Sequence, residues 1–113
     1  MSSTVTPPPR RRPELLIHLP GLRASLEEQR QVRLRQLGDL LAQEDRLARS
    51  RRMVGDETTS GLIDAVRQAL GDIELALHRI HVGRYGTCLY CGSELPLALL
   101  RSAPQADACE DCG

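Results

Sequence analysis

The chain has 113 residues, enough for one small domain, with 41% hydrophobic residues and neither Phe nor Trp. Fifteen basic and 15 acidic residues give zero net charge, which excludes a strong overall attraction to nucleic acid or to a membrane surface. No apolar run approaches the ~20 residues of a membrane span, and no apolar segment follows the basic N-terminal residues as in a secretion signal. We therefore expect a cytoplasmic protein without membrane contact.

Residues 1–13, MSSTVTPPPRRRP, predict a disordered tail, because this polar, proline-rich composition buries too little apolar surface to offset its ordering entropy. Its three arginines could form a basic arm for nucleic acid or for an acidic partner. A charge run this short is more typical of a solvated tail.

Residues 14–82 predict a helical hairpin. The segment 14–21, ELLIHLPG, stops at Pro20 and Gly21 and predicts one or two helical turns that fold back on the main body. Residues from about 22 to 52 are rich in good helix formers and predict helix 1. Leu34, Leu37 and Leu41 recur at spacings of three and four, with Leu26 before them and Leu47 and Ala48 after them.

The turn at the tip of the hairpin is predicted over residues 54–61, VGDETTSG, and helix 2 over about 62–82. Apolar residues of helix 2 alternate spacings of three and four: Ile63, Val66, Leu70, Ile73, Leu77 and Ile80. Such an a/d seam needs a partner helix, and the short turn makes helix 1, running antiparallel, that partner. Gly83 then ends helix 2. We expect a monomer, although such a seam can also pair with a second chain.

Four cysteines predict a metal site after the hairpin, in residues 83–113. The sequence contains two C-x-x-C pairs with 17 residues between them: Cys88, Cys91, Cys109 and Cys112. A two-residue spacing lets one tight turn direct two sulfurs at a common point, and two such turns complete a tetrahedron around zinc. Gly92 and Gly113 each follow the second cysteine of a pair, where a tight turn can require positive φ.

Four thiolates close the coordination sphere, so the expected zinc ion is single and structural, with no position for an activated water. Iron in a rubredoxin-like site or two redox-switched disulfides would use similar spacing. His78 and His81 lie just upstream and could also act as ligands, but four cysteines already suffice. The predicted fold is therefore mainly α: an antiparallel coiled-coil hairpin followed by a small four-cysteine zinc finger.

The segment GRYGTCLYCGSELPLALLRSAPQADACEDCG resembles the DksA/TraR family of zinc-finger transcription factors. The residues in register with the family pattern are Gly83, Tyr85, Gly86, Cys88, Cys91, Gly92, Leu95, Leu100, Pro104, Ala106, Cys109 and Cys112. Over residues 22–82 the resemblance is one of architecture alone. It implies a protein that binds RNA polymerase and not a specific DNA sequence, with the hairpin in the secondary channel and the zinc end at its rim.

The resemblance also implies acidic residues at the hairpin tip, in a D-x-x-D-x-A pattern that this chain lacks. The acidic residues at the predicted tip are Asp56 and Glu57, which are adjacent, while Asp45 is placed within helix 1. Basic residues lead into the turn, either as a solvated helix face or as a surface attracted to nucleic acid or to acidic polymerase residues. They are Arg46, Arg49, Arg51 and Arg52. Leu99 and Ala103 stand where family members carry basic residues, which argues against dependence on the alarmone ppGpp.

Three classes of function remain open from the sequence. The leading hypothesis is a non-enzymatic regulator that binds RNA polymerase. A protein that binds DNA, RNA or another protein through its basic tail and Arg-rich helix face is a second class, and a scaffold or oligomerisation module is a third. An enzyme is disfavoured, since the chain has no nucleophile–base set, phosphate loop or open metal position.

Overall fold

The computed structural model describes residues 12–49 and 57–113. Three helices account for most of these residues: α1 at Pro13–Arg49, α2 at Glu57–His81 and α3 at Leu97–Ser102. In the described ranges the only β pairing is an isolated antiparallel bridge between Thr87 and Glu94. The fold is mainly α, as the sequence predicts.

Helix α1 begins at Pro13, not near residue 22, and runs through Pro20 without a break. The expectation of a separate segment over 14–21 is therefore wrong. An interior proline costs about 3 kcal/mol, whereas burying one leucine contributes about 2 kcal/mol. Leu15 before the proline, and Leu22 and Leu26 after it, are all buried. Burial on both sides of Pro20 thus outweighs its cost and keeps the helix continuous.

Helix α2 begins at Glu57, so residues 57–61 of the predicted turn are helical. Thr59 is buried in this first turn, and a Cβ at Gly61 would meet nothing within 4 Å. An interior glycine costs only about 1 kcal/mol, so it does not stop a helix whose other residues pack. Residues 50–56, with Asp56 and the predicted end of helix 1, and residues 1–11 of the predicted tail lie outside the described ranges.

Helices α1 and α2 pack antiparallel. Arg12, at the start of α1, contacts the backbone of Gly86 just beyond α2, and Arg30 forms an ion pair with Glu74 further along. The predicted seam of α2 faces α1: Ile63, Val66, Leu70 and Ile73 are buried, and Leu77 and Ile80 are partly buried. The hairpin is closed within one chain.

The apolar face of α1 differs from the predicted one. Leu26, Leu37 and Leu47 are buried or half-buried as expected, but Leu34, Leu41 and Ala48 are exposed, and half-buried Leu40 takes part instead. Leu26, Leu40 and Leu47 are separated by multiples of seven, so they stay on one side of a helix that follows a partner. Leu34 and Leu41 fall one position away from that face.

The core lies at the base of the hairpin, where both helices meet residues 83–113. Its buried members are Leu15, Leu22, Leu26, Ile73, Ala76, Tyr85, Cys88, Leu95 and Leu100. Three of them, Leu26, Leu95 and Leu100, are fully enclosed. The four-cysteine segment is thus packed directly on the helices. Among the described residues, no helix is long and apolar enough to cross a membrane.

Candidate metal centre

Helix α2 ends in a Schellman motif that directs the chain into the cysteine-bearing loops. The Arg84 N–H donates to the Arg79 carbonyl at 2.8 Å, and the Gly83 N–H donates to the Ile80 carbonyl at 3.2 Å. Gly83 has φ +76°, the left-handed conformation that this motif requires and that glycine adopts without strain. The predicted role of Gly83 is confirmed.

The first cysteine pair lies on a tight turn closed by backbone hydrogen bonds. The Cys88 N–H donates to the Ser93 carbonyl at 2.8 Å, and the Gly92 N–H donates to the Cys88 carbonyl at 3.0 Å. Gly92 has φ +75°, as the sequence predicts. The bridge between Thr87 and Glu94 joins the two chain segments on either side of the turn.

The second pair follows α3, a short helix that is not expected from the sequence pattern. N–H groups of Cys112 and Gly113 donate to the Cys109 carbonyl at 3.1 and 2.8 Å. Gly113 is not among the glycines with positive φ, so the expectation for that residue is wrong, and the turn closes without it. The Leu89 N–H donates to the Asp107 carbonyl at 2.8 Å, which joins the two turns.

The four cysteine sulfurs form one cluster. Those of Cys88, Cys91, Cys109 and Cys112 all lie within 4.8 Å of one another, and none forms a disulfide. The Sγ atoms of Cys91 and Cys109 are 3.7 Å apart. A tetrahedron with Zn–S bonds of ~2.3 Å has sulfur–sulfur edges of about 3.8 Å. The donor set therefore fits one zinc ion, which would supply a structural cross-link between the two turns.

Nearby hydrogen-bond donors favour the thiolate form of Cys88 in particular. The backbone N–H groups of Tyr90 and Cys109 each donate to Cys88 Sγ at 3.4 Å. Burial raises the pKa of the Cys88 thiol, but the surrounding N–H groups outweigh burial and lower that pKa to about 6. The hydroxyl and N–H of Ser93 likewise lower the pKa of Cys91.

Cys112 has the opposite tendency. Hydrogen bonds with the neighbouring sulfurs of Cys109, Cys91 and Cys88 raise its pKa to about 12, because they favour the protonated thiol, and the nearby charge of Cys109 acts in the same direction. Four sulfurs this close do not all ionise unless a cation neutralises them. A bound divalent metal supplies that charge and displaces the remaining protons.

Hydrogen bonds fasten the cysteine-bearing segment to the hairpin. The Tyr85 hydroxyl donates to the Pro104 carbonyl at 2.7 Å. The Arg12 guanidinium donates to the Gly86 carbonyl at 3.2 Å and lies 3.7 Å from Glu94. Arg12 therefore does not belong to a disordered tail, and the prediction for this residue is wrong. One arginine in a run of three next to a proline carries no signal for such a contact, which depends on the return of the chain 74 residues later.

Other candidate residues lie away from the cluster. His78 and His81 are exposed and do not belong to the group of sulfurs. Glu57 is the first residue of α2, and Asp45 lies within α1, where it forms an exposed ion pair with Arg49 at 3.2 Å. Arg46 is also exposed near this end of α1. The cysteine cluster thus lies at the opposite end of the hairpin from Arg49 and the first residue of α2.

The fold and the site define a class of protein: a helical hairpin whose base carries a four-cysteine module that can hold one zinc ion. Neither a protein-family model nor a curated protein sequence matches the chain. It is similar to the structure of transcription factor DksA2 from Pseudomonas aeruginosa, at 24% identity, 78% coverage of this chain, 79% coverage of that chain and a TM-score of 0.48. The four-cysteine cluster is consistent with the resemblance to the DksA/TraR family seen in the sequence. At this identity and TM-score, the structural likeness assigns no function.

Proposed function

We propose that this protein is a non-enzymatic transcription regulator that binds RNA polymerase by inserting its hairpin into the secondary channel. Its zinc module lies at the rim, and the protein acts as a monomer in the cytoplasm, where it does not read a DNA sequence. The proposal joins the DksA/TraR-like motif of residues 83–113 to the shape of the described helices.

The observation that carries the proposal is a slender arm extending from a compact base. The molecule measures 66 × 31 × 22 Å. At about 1.5 Å per residue, α1 extends about 30 Å from the ion pair at Arg30 to its end at Arg49. Among the residues that the structure describes, only those of α1 and α2 form this arm, and their own apolar residues close its seam. Such an arm suits a narrow channel better than a flat surface.

We propose a division of labour along the chain. Residues 14–82 form the inserted hairpin, and residues 83–113 form a zinc finger ligated by Cys88, Cys91, Cys109 and Cys112. The zinc ion is structural: it holds the two turns against Tyr85, Leu95 and Leu100, which belong to the core. The end of the arm, around Asp56 and Glu57, is the part expected to influence transcription.

The first test is a binding assay. Purified, zinc-loaded protein should be retained by core RNA polymerase, and a protein known to occupy the secondary channel should compete for binding. Retention without competition would place the chain elsewhere on the polymerase. No retention would overturn the proposal and would direct attention to Arg46 and Arg49 as a surface for another partner.

A second test addresses the tip. Asp56→Asn with Glu57→Gln should leave polymerase affinity and stability nearly unchanged while reducing any effect on transcription, since only charge at the end of the arm is removed. Glu28→Gln with Asp72→Asn is the matched control, because both residues are exposed acids nearer the base. Transcription assays with the two double variants distinguish the effect of losing charge at the tip from the effect of losing charge elsewhere on the hairpin. If the tip variant regulates like the parent, its acidic residues have no part in the mechanism.

A further inference from the structure

Arg79 is a buried cation near the C-terminal end of α2, with 6% of its surface exposed. Burying a charged group is costly unless hydrogen bonds or an opposite charge compensate it. Among the described residues, no carboxylate forms an ion pair with Arg79. Its hydrogen-bond acceptors are the Arg84 carbonyl at 3.1 Å and the carbonyl and hydroxyl of Thr87. All three contacts are made by one guanidinium nitrogen, Nη2, and all go to the loop between α2 and the first cysteine.

The contact with Thr87 fixes one particular peptide group. The Thr87 carbonyl and the Cys88 N–H belong to the same planar peptide unit. Arg79 donates to the carbonyl end, and the N–H end donates to the Ser93 carbonyl at 2.8 Å. With both ends held, rotation of the peptide is restrained, and with it the direction in which Cys88 leaves the backbone.

The charge of Arg79 adds to this positional effect. Four thiolates and one Zn²⁺ sum to a net charge of −2. The acidic side chains nearby in the sequence are also negative and so do not offset this charge; they are Glu94, Asp107, Glu110 and Asp111. Arg79 places a positive charge, shielded from water, beside the peptide that carries Cys88. At low local dielectric a cation so placed stabilises the anionic centre.

The geometry assigns Arg79 as a positioning residue for the metal centre: it orients Cys88 for zinc through the Thr87–Cys88 peptide. This inference rests on the zinc site proposed above and is independent of RNA polymerase. Residues that hold a metal ligand in place through hydrogen bonds typically contribute 10- to 100-fold to metal affinity. We therefore expect Arg79→Met to weaken zinc binding about tenfold or more.

The experiment compares zinc affinities of the full chain by competition with a chromogenic chelator. Arg79→Met and Arg79→Lys are tested against Arg67→Met, a matched control because Arg67 is an exposed arginine of the same helix. Arg67→Met should bind zinc like the parent, and Arg79→Lys, which keeps the charge, should be intermediate. The absorption spectrum of the Co²⁺-substituted protein is a second readout, since it reports the geometry of the sulfur ligands and not overall stability.

The assignment is supported if either Arg79 variant that folds loses more zinc affinity than Arg67→Met and has an altered Co²⁺ spectrum. Parent-like affinity and spectrum in every folded Arg79 variant would overturn it. Failure of the parent itself to bind one zinc ion would instead remove the zinc site. The two failures are therefore distinguishable.

Discussion

Gly86 is the residue at which backbone conformation and packing limit the sequence most tightly. Its φ is +93°, and a Cβ there would lie 2.8 Å from Leu15 Cδ2 and 3.3 Å from an Arg12 nitrogen. Real Cβ atoms do not approach neighbours as closely as 2.8 Å. Gly86 therefore allows the first cysteine loop to lie directly against the start of α1, and this contact joins the metal module to the hairpin.

Gly86→Ala should destabilise the zinc-loaded protein by about 1–3 kcal/mol, because the side chain is strained at positive φ and collides with Leu15. Gly71→Ala is the matched control. Gly71 is an exposed residue inside α2 where a Cβ meets nothing within 4 Å, so alanine there should stabilise by about 0.5–1 kcal/mol. Urea unfolding followed by circular dichroism measures both. Equal stabilities of the two variants would contradict the packing of Gly86.

Because of Tyr85, the free energy of unfolding should depend on pH under alkaline conditions. Burial raises the pKa of Tyr85 from 10.0 to about 12, against an opposing effect of the Arg79 charge. A pKa higher in the folded than in the unfolded chain favours folding while the hydroxyl is protonated. This stability is fully present below about pH 10 and is lost as the pH rises through about 12.

The measurement uses Tyr90→Phe, in which Tyr85 is the only tyrosine. Tyr90 is 72% exposed, so its replacement should not disturb the fold. Tyrosinate absorbance should then titrate with a midpoint near 12, and the midpoint in urea should fall to near 10. A midpoint near 10 in the folded protein would mean that Tyr85 is not buried against Pro104.

At the level of elements, the register of α1 against α2 separates residues that look alike in the sequence. Leu26 is 0% exposed and Leu34 is 43% exposed, although both belong to the apolar set of helix 1. The difference arises because α1 must keep one face toward α2 and the cysteine module together. That face passes through Leu15, Leu22 and Leu26, on both sides of Pro20.

Leu26→Ala should cost about 2–5 kcal/mol, since it removes a fully buried side chain and leaves a cavity. Leu34→Ala should change stability by less than about 0.5 kcal/mol, as is usual for an exposed position. Both changes remove the same atoms from the same helix, so each controls for the other. Denaturant unfolding gives the two free energies of unfolding. A larger loss for Leu34→Ala would place α1 in the register that the sequence alone suggests.

At the scale of the molecule, the metal module and the base of the hairpin should melt together. Removing zinc with a chelator, or replacing a ligand by Cys88→Ser, should unfold residues 83–113 and lower the melting temperature, because metal binding is coupled to folding. Tyr85, Leu95 and Leu100 would then leave the core. Near-ultraviolet circular dichroism should lose the Tyr85 signal.

Re-addition of zinc should restore both the melting temperature and the Tyr85 signal in the parent, but not in Cys88→Ser. Limited proteolysis of the zinc-free protein should cleave first within 83–113, which also tests the proposed division of the chain. An unchanged melting temperature after verified metal loss would mean that the core is stable without zinc.

Local spacing was sufficient to predict several features correctly. The two C-x-x-C pairs, the seam of α2 from Ile63 to Ile80, and the helix end at Gly83 each depend on residues within one or two turns. The sulfurs are brought together because each pair is positioned by its own tight turn. Regular periodicity and turn chemistry depend on residues that are neighbours along the chain, so they can be predicted without knowledge of the fold.

Other features depend on residues that are distant in sequence and meet only in the folded chain. Pro20 continues α1 because leucines on both sides of it are buried, and Arg12 is ordered by Gly86 and Glu94. Arg79 reaches the peptide of Cys88 only because α2 ends against the loop that it holds. The sequence by itself determined that two long helices and a cluster of four cysteines exist. Tertiary structure alone decided which leucines are enclosed and which polar groups hold the site, because burial and hydrogen bonding depend on what the rest of the chain places beside each residue.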